Sequence, residues 1–124
     1  MDDEDQRAAA ALARAREAVL GAGARELGRR PWQAPGQPPA DLDLVRHAAW
    51  VAREPSAPTD VVLAGLRLLA AARAELDGVE AALLFAARAD GVTFQALGEA
   101  LGLGSGQAAQ QRMARVVARL DAQG

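Results

Sequence analysis

Residues 91–115 read GVTFQALGEALGLGSGQAAQQRMAR, and the spacing of small, apolar and polar positions in this stretch decides the fold. Thr93 stands where its hydroxyl can cap a helix start, and Phe94, Leu97 and Leu101 follow at i, i+3 and i+7 on one helical face. Gly102-Leu103-Gly104 then forms a tight turn, because glycine takes positive φ without a Cβ clash. Ser105 can cap a last helix whose inward stripe is Ala109, Met113, Val116, Val117 and Leu120. Gln107, Gln110, Gln111, Arg112, Arg115 and Arg119 are thereby left to its other faces. A short helix, a Gly turn, an apolar plug and a capped helix in that order make a helix-turn-helix pattern. In it Gly98 is expected to allow close helix approach, Gly102 the sharp exit, and Leu103 the plug.

Upstream, Val79, Leu83, Leu84 and Ala87 keep helical periodicity up to Ala89, with Gly91 in a C-terminal cap position and a joint expected at Asp77-Gly78. Before that joint, Val62, Leu63, Leu66, Leu68, Leu69 and Leu76 predict the central core helix, with Thr59 or Asp60 as its N-cap. A shorter helix carrying Leu42, Val45, Ala49 and Val51 or Ala52, capped by Asp41 or Asp43, ends before Pro55. Residues 29–40, RRPWQAPGQPPA, hold four prolines and read as a linker, in which Trp32 is expected to be anchored to the core. Residues 6–30 are Ala-rich and predict a helix with a thin stripe of Leu12, Val19, Leu20 and Leu27. Asp2 to Asp5 complement the dipole at its start, and Gly21, Gly23 and Gly28 weaken its end. The expectation is an all-α small helical bundle of five to six helices with a C-terminal helix-turn-helix. Its segments are the Ala-rich helix and linker (1–40), scaffold helices (41–78) and the helix-turn-helix unit (79–124).

Composition narrows the function. In 124 residues there is no Cys and one His, His47, which leaves no thiolate chemistry and too few imidazoles for a zinc cluster. No apolar run is long enough for a membrane span, and the opening Met-Asp-Asp-Glu-Asp is unlike a signal peptide, so a cytoplasmic protein is expected. Catalytic triads, phosphate loops and paired carboxylates lack supporting context, so a non-enzyme without metal or cofactor is expected. Glu75, Asp77 and Glu80 gather at the expected joint, where capping accounts for Asp77 and exposed helix faces for the other two. His47 beside Trp50 reads as packing or surface.

Net charge is -2, against a protein that coats nucleic acid by bulk charge, yet every basic side chain apart from His47 is Arg. The glutamines near the start of the last helix have the reach and the paired donor and acceptor to bind an adenine edge. Ser105 at the helix start can hold a phosphate, and Arg112, Arg115 and Arg119 are spaced to reach backbone phosphates. Arg29 and Arg30 read as an exposed linker rather than a minor-groove arm.

The run from Leu76 to Leu120 resembles a group of small actinobacterial helix-turn-helix DNA-binding proteins, described as transcriptional regulators of a small heat-shock protein. The resemblance rests on Glu80, Ala86 to Arg88, Gly91, Thr93, Phe94, Leu101, Gly102, Ser105, Gln107 to Ala109 and Arg112. It implies double-stranded DNA as partner, in transcription or chromosome organisation at the nucleoid. The carried-over contact positions are Ser105, Gln107, Gln110, Gln111, Arg112 and Arg115. Phe94 stands where a Trp is usual, Met113 where an aromatic is, and Gly106 where a basic residue is, which removes one contact. A homodimer is expected, with the faces around Leu12 to Leu27 or Val62 to Leu69 as contact surfaces. The alternative is a helical module that docks on a transcription factor without touching DNA.

Overall fold

The computed structural model describes residues 2–123, which form six α-helices and, among the described residues, no strand. These are α1 (Asp3–Gly21), α2 (Asp41–Val51), α3 (Thr59–Arg67), α4 (Leu69–Ala89), α5 (Phe94–Ala100) and α6 (Gly106–Gln123). The chain divides into two compact units after Arg73, within α4. The all-α bundle read from the sequence is the architecture observed.

The first unit buries Ala15 and Val19 of α1, Leu44 and Ala48 of α2, and Val61, Ala64 and Leu68 on or just after α3. Asp2 caps α1 by accepting the Asp5 N–H, and α1 stops at Gly21, where Gly23 takes φ 110° and starts a single 3-10 turn (Ala24–Glu26). His47 closes this corner, its Nε2 3.1 Å from the Ala22 carbonyl. Leu12, Leu20 and Leu27, partly buried, pack against this core.

Several expectations are corrected here. The α2 helix starts after Ala40 with no side-chain cap: Asp41 and Asp43 lie in its first turn and instead pair with Arg16 (2.8 and 3.0 Å) and Arg30 (3.2 and 3.3 Å). Pro58, not Thr59 or Asp60, occupies the N-cap of α3. The break falls at Leu68 rather than at Asp77-Gly78, and α4 runs unbroken through both. Leu63, Leu66 and Leu76 are exposed. The cause for α3 is steric: a Cβ on Gly65 would sit 2.7 Å from the Ala48 Cβ, so α2 crosses α3 on its small face and the leucines turn outward.

The Pro-rich segment is an ordered loop. Gln33, 6% exposed, accepts the Arg30 N–H at 2.9 Å and donates to the Pro38 carbonyl at 3.2 Å, while the Arg29 guanidinium donates to its main-chain carbonyl. Gln33 is the anchor, and Trp32 next to it is 80% exposed, contrary to the expectation that the indole is pinned. An indole needs a wide apolar slot, whereas an amide bonded on both ends fixes two strands of a loop without one.

In the second unit Leu84 of α4, Leu97 of α5 and Ala109 of α6 form the buried centre, with Ala87, Val92, Phe94, Leu101, Leu103 and Met113 packed around it. Val116 is fully buried further along α6.

Candidate nucleic-acid interface

Two glycine-ended helices deliver the chain to α6. At the end of α4, Gly91 (φ 84°) donates to the Arg88 carbonyl and Val92 to that of Ala87, the paired bonds of a Schellman cap. Thr93 then caps α5, its Oγ1 accepting the Ala96 N–H at 3.1 Å. The end of α5 repeats the device: Gly102 (φ 73°) donates to Glu99 and Leu103 to Gly98 at 2.7 Å. Leu103 thus reaches the core as the expected plug. Arg88 lies 4.1 Å over the Phe94 ring and donates to the Val92 carbonyl, fixing the α4–α5 corner.

The start of α6 rests on the start of α5 through two glycines. A Cβ on Gly98 would lie 2.6 Å from the Ser105 carbonyl oxygen, and one on Gly106 would lie 2.9 Å from the Gln95 nitrogen and 3.1 Å from the Phe94 carbonyl carbon. Gly106 is therefore required by backbone contact. A larger side chain at this position has no room in this packing. A Gly directly after a capping Ser is the only sequence sign of it. Ser105 caps α6 as expected, its Oγ accepting the Ala108 N–H at 3.1 Å.

From this platform α6 turns Ala109 and Val116 inward. Gln107, Gln110, Gln111 and Arg115 are exposed and carry no side-chain hydrogen bond or ion pair among the described residues. Ser105 is exposed beside them, though its hydroxyl oxygen is already engaged as the cap. Arg112 and Arg119 are placed differently. Arg112 forks onto Glu80, Nε and Nη2 each 2.9 Å from a carboxylate oxygen, and Arg119 forks onto Asp77 at 3.1 Å twice. Hydrogen bonding to Glu80 and its charge raise the Arg112 pKa above the ordinary arginine value, so this side chain stays cationic across the working pH range.

These forks correct the reading of Asp77 as a cap and of Glu80 as mere surface. Asp77 and Glu80 sit i, i+3 on α4, and Arg112 and Arg119 sit i, i+7 on α6. The spacing was a readable signal once the two helices are laid side by side. Of the residues assigned to contact, Gln107, Gln110, Gln111 and Arg115 remain together as an open polar face. Among the described residues no group of His, Cys, Asp and Glu could hold a metal ion, and no helix is long and apolar enough to cross a membrane.

No protein-family model, curated protein or solved structure matches the chain.

Proposed function

We propose that the chain binds double-stranded DNA as a transcriptional regulator, laying α6 in the major groove. The observation that carries this reading is the division of α6 into a packed face at Ala109 and Val116 and an open polar face at Gln107, Gln110, Gln111 and Arg115. Glutamine amides are matched to adenine edges, and an unpaired guanidinium to a phosphate or guanine. The reading is supported by the last two helices being joined through the Gly102 cap and packed closely at Gly98 and Gly106, which sets that face on a packed support. The reading extends to a homodimer at the nucleoid, because one such unit spans only a few base pairs and two-fold pairing sets half-sites roughly 34 Å apart.

Two observations favour a second reading, a module that docks on a transcription factor without contacting DNA. The unit from Ala74 onward carries four arginines against six acidic residues, and two of the four arginines are already forked onto carboxylates. Leu76, Val79 and Leu83 are moreover exposed at i, i+3 and i+7 on α4, an apolar stripe suited to protein contact.

Fluorescence anisotropy with a labelled mixed-sequence duplex at several salt concentrations separates the two. DNA binding whose log affinity falls linearly with log salt supports the first reading. No binding at the lowest salt sinks it and leaves the second. Sedimentation of the protein with and without duplex tests the dimer.

A further inference from the structure

The first unit contains a half-open groove between α1 and α3 that encloses about 310 Å³. Its floor is methyl groups: Ala11, Ala15 and Ala18 from α1 and Ala64 from α3. Three charged residues stand around it, Arg14 from α1 and Asp60 and Arg67 from α3. The groove exists because both helices present alanine where they meet. Ala15 and Ala64 are buried in the core, and Ala11 and Ala18, partly exposed, carry the apolar lining out to the groove.

The state of the three charges is informative. Arg16, on the next position but one, is forked onto Asp41, and Arg25 holds Glu17. Arg14 and Arg67, by contrast, make no ion pair or hydrogen bond among the described residues, although Asp60 lines the same groove. Two guanidinia and one carboxylate leave the lining with one net positive charge above an apolar floor.

We propose that this groove is a binding site for a small amphipathic monocarboxylate, with Arg14 and Arg67 taking the carboxylate and the alanine floor taking an acyl or aryl body. A guanidinium fork matches a carboxylate in shape and charge, and Asp60 selects against ligands of higher negative charge. The volume lies at the lower end of the range of about 300–1,000 Å³ used for small ligands, which suits a short chain rather than a full lipid. The site lies wholly in the first unit and stands whether or not α6 meets DNA.

Isothermal titration of the full chain with octanoate, octanol and inorganic phosphate tests the proposal. Octanoate should bind saturably, octanol and phosphate at least about tenfold more weakly, since each lacks one half of the match. Arg14→Gln and Arg67→Gln should each weaken octanoate about tenfold or more, the factor expected from one lost charge-assisted hydrogen bond. Ala11→Leu, at a partly exposed position, should fill the groove and block octanoate while circular dichroism stays that of the parent. Absence of saturable octanoate binding, equal binding of octanoate and octanol, or octanoate binding unchanged in all three variants would each overturn the site.

Discussion

Arg112 and Glu80 meet in a two-pronged fork, with both guanidinium nitrogens 2.9 Å from carboxylate oxygens, and the same α4 helix holds Arg119 through Asp77. On the proposed DNA-binding reading, the consequence is positive charge held in reserve. Two of the three arginines assigned to phosphate contact on α6 are neutralised within the unit, and of the three Arg115 alone is unpaired among the described residues. Opening a fork for a phosphate exchanges one anion for another and gains little.

On the same proposed reading, removing the acids should strengthen duplex binding. Glu80→Gln and Asp77→Asn each release one arginine, and each release should steepen the log affinity against log salt slope by about 0.9. Both pairs are partly exposed, so each exchange should cost no more than about 1 kcal/mol of stability. Salt-dependent anisotropy on parent and double variant checks this. An unchanged slope in a protein that does bind DNA would mean that neither arginine reaches a phosphate.

Placing a basic side chain at position 106 should fail. Any side chain there meets the α5 backbone at 2.9 to 3.1 Å, and neither partner atom belongs to a flexible group. Gly106→Ala should cost about 1–3 kcal/mol through overpacking, and Gly106→Arg more. Gly104→Ala, facing open space without positive φ, should cost under about 1 kcal/mol. Urea unfolding followed by circular dichroism gives the comparison. Equal costs at 104 and 106 would show that α6 can lift off α5.

Why some of this was legible in the sequence and some was not follows from which interactions are local. The caps at Thr93 and Ser105, the positive φ at Gly91 and Gly102, and the inward stripe of α6 depend on residues within one turn of each other, so spacing reveals them. Asp41, Asp43, Asp77 and Glu80 look like cap or surface acids in sequence, but their partners lie 13 to 42 positions away. Leu66 outscores Ala64 and Gly65 in hydrophobicity, yet the close α2–α3 crossing buries the smaller pair. Packing distance overrode apolar content there.

Trp32 and Gln33 should respond to mutation in the opposite order from their sizes. Trp32→Ala removes an exposed indole and should change stability by less than about 0.5 kcal/mol. Gln33→Leu leaves the Arg30 N–H and the Pro38 carbonyl without their partner in a buried setting, at about 1–3 kcal/mol. Thermal unfolding of the two variants decides. A large loss for Trp32→Ala would mean that the indole packs in solution.

Base reading and phosphate holding on α6 should separate by mutation. Gln110 and Gln111 sit on the open face without side-chain partners among the described residues, so their truncation costs the fold little and any effect on binding is direct. If either forms a bidentate pair with adenine, its change to Ala should cost about 1–3 kcal/mol on the preferred duplex and much less on others, flattening sequence preference. Arg115→Ala should weaken all duplexes alike and reduce the salt slope by about 0.9. Selection of bound sequences from a random duplex pool gives the preferred site, and anisotropy on that site and a scrambled control gives the two profiles. Parallel loss on both duplexes for the glutamine variants would assign α6 to shape and backbone recognition instead of base readout.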